Sequence, residues 1–415
     1  MSRPRQSFDR TDGGYIVNDF VKAFFYEVID DFFRICYTGF DNLKKPGVYM
    51  PNDYQRQIAR RRTENLRNIE RELPRCCLDY FIAIESQTGT LTRLSYAYDL
   101  RIFFQYLSAE VRAFEGKDLL AFDDEDLKKI TKADIERYGQ YLTLYYKNDV
   151  DEDGNVSSRE LENTECGKMR KLSSLRSFFK YLYADGRIPG NPAELVALPK
   201  RHEKAIIRLE IDEVARILDE AEKGENLTAR QQKFHQITKK RDLAMLSLFL
   251  GTGIRVSECV GLNMDDFDFT QGAFVVTRKG GAEVMLYLSE EVSKVLQEYL
   301  EERSKIEALP GHENAFFLSI QKRRITQRAV ENLVKKYAAI AAPLKKKISP
   351  HKLRSTYGTN LYRATQDIYL VADVLGHSDV NTTRKHYAAM LEDRRRSAAA
   401  HTTLRGPEKA PDDAP

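Results

Sequence analysis

Cysteine is sparse in this chain of 415 residues, and long apolar runs are missing. The five cysteines, Cys36, Cys76, Cys77, Cys166 and Cys259, are odd in number, scattered, and nowhere spaced as CxxC. That pattern argues against both a disulfide framework and a zinc site. No apolar run approaches the length needed to span a bilayer. The opening MSRPRQSFDR lacks the apolar core of a secretion signal. Together these absences predict a soluble, cytoplasmic protein with no membrane partner. Charge of one sign is also lacking: 66 basic residues face 62 acidic ones, for a net charge of +4. A nucleic-acid partner therefore has to be argued from local basic clusters.

What is present divides the chain. Its length exceeds what one hydrophobic core usually supports, so two domains are expected. Residues 1–72 read as a helical N-terminal extension. Val21, Phe24, Phe25, Val28, Ile29 and Phe32 recur at helical spacing there, and the polar run from Gln55 to Arg75 reads as a solvated helix, with a DNA-touching arm as the alternative. Residues 73–197 read as helical throughout. Leu78, Phe81 and Ile82 form a first stripe, and a helix near Thr92 carries Tyr96, Leu100, Phe103, Phe104 and Leu107. Another helix follows Thr131 with Ile135, Tyr138, Leu142 and Tyr145. Residues 149–155 read as an acidic loop. A last helix has Met169, Leu172, Leu175, Phe179 and Leu182 on one side. Lys168, Arg170, Lys171, Arg176 and Lys180 on the other side are candidates for a phosphate backbone. Residues 198–206 form a basic linker after a Pro/Gly-rich turn.

Residues 207–396 mix helices with a hairpin. An apolar helix ends at Gly251-Thr252-Gly253, and the next helix carries Arg255 and Glu258. Residues 274–277 and 284–288 alternate as strands around Gly280-Gly281, with Lys279 at the tip. Helices follow at 290–305, 325–340, 351–363 and 366–375. Residues 397–415, rich in Ala and Pro, are expected to be disordered.

Three patches in this second domain share a chemistry: GTGIRVSE at 251–258, SPHKLRSTYGT at 349–359, and LGHSDVNTTRKHYAAM at 375–390. Cleaving a phosphodiester without a metal needs a nucleophile, cations on the nonbridging oxygens and a proton donor for the leaving oxygen. Arginine suits the clamp, because its planar fork matches two phosphate oxygens and keeps its charge. His351 and Arg354 are three residues apart on one helix and so share a face. Tyr387 can attack only if cations lower the cost of its phenolate, whose free pKa is about 10. A hairpin lysine can protonate the leaving oxygen. Taken singly these residues carry little weight, since Arg255 could simply pair with Glu258 and Tyr387 is one of 22 tyrosines. Their joint order in one domain carries the inference.

On these motifs the chain resembles the tyrosine recombinase (phage integrase) family, most closely its bacterial Xer-type members. Gly251 to Glu258 is similar to the family's first arginine box, His351-Lys352-Leu353-Arg354 to its HxLR box, and Leu375-Gly376-His377-Ser378 with Tyr387 to its final box. The likeness covers about residues 75–395. It implies a mainly α protein: a helical, SAM-like core-binding domain, then an α-rich catalytic domain with a small antiparallel sheet, the DNA breaking-rejoining fold. It implies a site of Arg255, Lys279, His351, Arg354, His377 and Tyr387, with Tyr387 forming a 3′-phosphotyrosyl link. Neither metal nor nucleotide cofactor is implied. The implied partner is double-stranded DNA carrying specific recombination sites, bound by a homotetramer, alone or with a related recombinase. A DNA-relaxing enzyme of the type IB topoisomerase kind is the alternative. Two positions depart from the family wording. Ser355 stands where many members have a second histidine. Arg278-Lys279-Gly280 replaces the usual GKG, which leaves Arg278 or Lys279 open as the acid.

Overall fold

The computed structural model describes residues 53–150, 156–199, 208–278, 281–345 and 347–376. The apolar stripe at 21–32, the linker from 200 to 206 and the tail at 397–415 lie outside the described residues.

The first part of the described chain is a helical bundle with one hairpin. Its helices are α1 (Asp53–Glu70), α2 (Arg75–Ala83), α3 (Thr90–Glu110), α4 (Asp124–Lys129), α5 (Lys132–Tyr141) and α6 (Glu165–Ala184). Helix starts follow side-chain chemistry. Thr131 and Asp134 form a reciprocal capping box at α5, and the Thr164 hydroxyl accepts from the Gly167 N–H at α6. The core is aromatic: Tyr80, Phe81, Phe103, Phe104, Tyr138, Phe178 and Phe179 are fully buried and meet mostly edge-on or tilted.

Three sequence expectations change here. The region is not helical throughout, because β1 (Leu144–Val150) pairs antiparallel with β2 (Val156–Glu162), Leu144 facing Glu162 and Val150 facing Val156. Tyr145, expected on a helix, is therefore a buried strand residue, and Asp149 and Val150 are ladder rather than loop. In α2 the inward stripe is Cys76, Cys77, Tyr80 and Phe81, while Leu78 and Ile82 face solvent. All six are apolar or amphipathic, so periodicity alone permits either choice. Finally, Leu66 and Ile69 of α1 join the same core, so packing begins ahead of residue 73.

The second part comprises α7 (Ile211–Lys223), α8 (Ala229–Thr252), α9 (Val256–Gly261), a three-stranded sheet, and helices α10 (Glu290–Arg303), α11 (Gln327–Ala341), α12 (Pro350–Thr365) and α13 (Ile368–Leu375). The sheet order is β3 (Phe267–Asp268), β4 (Ala273–Thr277), β5 (Glu283–Tyr287), all antiparallel, with Ala273 opposite Tyr287 and Thr277 opposite Glu283. Helix α8 runs through the centre, and every side chain from Ala244 to Phe249 is buried. A core from Leu209 to Leu353 surrounds it, and a small cluster of Tyr362, Val371 and Leu375 joins α12 to α13. Among the described residues no helix is long and apolar enough to cross a membrane.

Candidate active site

Helix α8 ends in a left-handed cap at Gly253, where φ is 62°. A side chain there would be strained, and its Cβ would also lie 2.5 Å from Tyr357 Cδ1 and 2.9 Å from Leu375 Cδ2. The sharp exit places Arg255 at the N-cap of α9 rather than within the helix. Glu258, one turn on and buried, accepts from the Arg255 backbone N–H at 2.9 Å and from its Nη1 at 2.7 Å. Arg255 is thereby held at both ends of its reach, at its own backbone and at its guanidinium, by α9. Its Nη2 donates to the carbonyls of Leu375 (3.2 Å) and Gly376 (2.7 Å).

Arg354 approaches the same point from α12, which Pro350 opens at its first turn. The side chain is buried and donates to the carbonyls of Gly253 and Leu375. Arg255 and Arg354, 99 positions apart in the chain, thus share one acceptor. A third guanidinium joins them. Arg278, at the end of β4, donates to the carbonyls of Asp373 (3.0 Å) and Val374 (2.7 Å). Burial lowers the Arg278 pKa from its ordinary value and Glu258 opposes that, while Arg255 lowers it further as a nearby like charge.

The three cations are gathered at the C-terminus of α13. The last carbonyls of a helix have no intrahelical donor and carry the negative end of the helix dipole. Guanidinium donors satisfy them and stay charged. The result is a half-buried concentration of positive charge, suited to an anion with several oxygens.

His351 is exposed on the first turn of α12, while Arg354 is buried. They share a helix but not an environment. Lys279, His377 and Tyr387 lie outside the described residues. The Arg255–Glu258 pair, which the sequence offers as an alternative to function, is present and holds the guanidinium among the other cations. The grip of Arg278 on α13 had no signal in the sequence.

The expected basic stripe on α6 does not hold as drawn. Lys171 is buried, donates to Asn163 Oδ1 at 2.8 Å, and has its pKa lowered by burial. Arg176 donates to the carbonyls of Ala193 (3.2 Å) and Val196. Lys168 pairs with Glu165 at 3.0 Å, and Arg170 forks onto buried Asp99. Lys171 and Arg176 thus serve acceptors within the fold and Lys168 and Arg170 are held in ion pairs, with Arg170 and Lys180 the exposed members of the set.

Residues 208–394 match the model of the phage integrase family. A tyrosine recombinase XerC from Caldanaerobacter subterraneus subsp. tengcongensis is 33% identical over 314 residues, spanning 74% of this chain and 80% of the relative. The chain belongs to the phage integrase family of tyrosine recombinases. This recombinase is also 29% identical over 323 residues to a XerC from Syntrophus aciditrophicus, spanning 75% of this chain and 92% of that one. Its fold is shared with a Tn1549 transposon integrase solved in complex with circular intermediate DNA (TM-score 0.56, 19% identity, 78% of this chain and 98% of that chain). It is shared too with a XerH site-specific recombinase bound to palindromic difH substrate (TM-score 0.54, 21% identity, 75% and 80%). The recombinase is thus a mainly α, Xer-like DNA-cleaving and rejoining enzyme.

Proposed function

We propose that this recombinase joins specific duplex DNA sites through a phosphotyrosyl intermediate on Tyr387. The observation that carries the reading is the convergence of Arg255 and Arg354 on one backbone acceptor, the Leu375 carbonyl, two residues before His377. In this reading the two guanidiniums clamp the nonbridging oxygens of the scissile phosphate. Tyr387 Oη attacks phosphorus, and His351 assists removal of its proton. The bond from phosphorus to the 5′ oxygen breaks, and Lys279 protonates the departing oxygen. His377 donates to a nonbridging oxygen. The phosphotyrosyl ester retains the bond energy, so a free 5′ hydroxyl from a second duplex reverses the attack and completes exchange. The residues supply every charge and proton that this sequence of steps needs, without a metal or a nucleotide.

The partner is double-stranded DNA bearing recombination sites, two of which are brought together by four protomers, and the enzyme works in the cytoplasm. Residues 73–197 form the core-binding part and 207–396 the catalytic part. Exposed Lys180 is the α6 residue best placed to meet a phosphate.

The test begins with host DNA fragments incubated with the protein and denatured; covalently held fragments are sequenced to map the site. A nicked duplex carrying that site then traps a covalent adduct with the native protein. Tyr387→Phe is expected to bind the duplex without forming the adduct, and EDTA is expected to leave adduct formation intact. An adduct with Tyr387→Phe at the native level would refute the assignment of the nucleophile.

A further inference from the structure

We propose that Arg278 is a positioning residue that locks the β4–β5 hairpin to the C-terminus of α13, holding the chain positions next to each, Lys279 and His377, in one register for cleavage. The inference rests on the reading of the site given above.

Arg278 closes the ladder with its backbone and leaves it with its side chain. Its N–H donates to the Ala282 carbonyl at 2.8 Å, and its carbonyl accepts from the Gly281 N–H at 3.0 Å. The side chain then reaches 95 and 96 positions along the chain to the carbonyls of Asp373 and Val374. The three arginines divide the helix end without overlap on these two acceptors. Arg278 takes 373 and 374, whereas Arg255 takes 375 and 376, and Arg354 takes 375. Arg278 therefore holds the helix by carbonyls that neither of the other two arginines uses.

Gly376 is part of the same joint. It caps α13 in the left-handed region at φ 56°, and a Cβ there would overlap the Arg278 guanidinium. The guanidinium lies against the cap, with Nε buried and lacking a hydrogen-bond partner. A side chain that leaves one donor unsatisfied in order to span two carbonyls is committed to that span.

Side-chain chemistry also separates Arg278 from its neighbour. Arginine does not release a proton near neutral pH, so it makes a poor general acid. Lysine, the next residue, can supply one. Arg278 thus acts through others. Its loss lets the hairpin and α13 move independently, and a displacement of about 1 Å at a reacting group can cost on the order of a hundredfold in rate.

The experiment uses the full-length protein and nicked duplexes carrying the mapped site. One duplex has an ordinary scissile phosphodiester, and the other has sulfur in place of the bridging 5′ oxygen. A thiolate, whose conjugate acid has a pKa of about 8.5, leaves without being protonated. Arg278→Ala is expected to slow adduct formation on the oxygen substrate about tenfold to a hundredfold. On the sulfur substrate the loss is expected to be smaller, the share due to Lys279 being restored and the share due to His377 remaining. Arg278→Lys, which keeps charge but lacks the fork, is expected to behave in the same way and stands in if the alanine variant does not fold. A native rate for both variants on the oxygen substrate, or an equal loss on both substrates, overturns the proposal. Lys279→Ala is run alongside: if sulfur fails to rescue it, the assignment of the acid falls. If sulfur rescues Lys279→Ala but not the Arg278 variants, the positioning role alone falls.

Discussion

Gly253→Ala puts the geometry beneath the arginine cluster to a quantitative test. Two separate costs are built into this position. The first is conformational: a residue with a Cβ at φ 62° costs about 1–2 kcal/mol relative to glycine. The second is steric, since the new Cβ would meet Tyr357 Cδ1 at 2.5 Å and Leu375 Cδ2 at 2.9 Å. Overpacking of a closed core adds about 1–3 kcal/mol. The sum is a loss of about 2–5 kcal/mol. A control isolates the steric part. Gly311 also has positive φ, at 82°, but nothing lies within 4 Å of its would-be Cβ, so Gly311→Ala should cost only the conformational share. Urea denaturation of both variants, compared by midpoint at constant slope, gives the difference. Activity should separate them further. Gly253→Ala pushes on Leu375, whose carbonyl anchors both Arg255 and Arg354, so adduct formation should fall more than for Gly311→Ala. Equal stability losses would refute the steric argument, and unimpaired cleavage by folded Gly253→Ala would refute its link to the site.

Other consequences can be checked in the same preparations. Asp242 is buried and accepts from Thr238, Arg241, Lys336 and Tyr337, so Asp242→Ala should destabilise by about 3–5 kcal/mol, seen as a lower denaturation midpoint. Asp242→Asn should cost less, because it keeps an acceptor. His235 has its pKa lowered, first by burial and then by Lys336, against the pull of Asp242. Its contribution to stability is complete above the unfolded value of about 6.5 and is lost as pH falls through the lower native value. Stability measured from pH 8 down to 5 should therefore decline, and a His235→Gln variant should show a flatter profile. Arg354→Lys cannot span the Gly253 and Leu375 carbonyls with one ammonium. Adduct formation should drop by about a hundredfold or more while duplex binding persists, as a gel-shift assay would show.

Much of the fold was legible because local rules were strong. Thr131 announces a helix through its cap, Pro350 opens α12, and Gly280-Gly281 signals the β4–β5 hairpin. The hairpin of β1 and β2 carries no such mark: Leu144-Tyr145-Tyr146 is an unbroken apolar run, and beyond it only Val150, Val156 and Leu161 interrupt polar residues, so no apolar alternation signals the strands. The choice of face in α2 failed for a related reason. Leu78 and Ile82 are as apolar as the buried set, and only the position of the neighbouring aromatic rings selects Tyr80 and Phe81. The α6 cations were misread because sequence shows charge but not its partner. Asp99 and Asn163, and the carbonyls of Ala193 and Val196, arrive from elsewhere in the chain.

The sequence alone determined the chemistry available to this protein. Two arginine boxes, a final LGHS box and a tyrosine, in that order in one domain, are what phosphoryl transfer needs, because together they offer fixed charge, proton donors and a nucleophile. Tertiary structure decided where those charges go. Arg255, Arg278 and Arg354 come from three distant segments and meet at one helix end, since a helix terminus presents unsatisfied carbonyls that only donors brought by packing can reach. No spacing in the chain encodes that meeting point. It follows from burying α8, closing the hairpin beside it and setting α13 on α12.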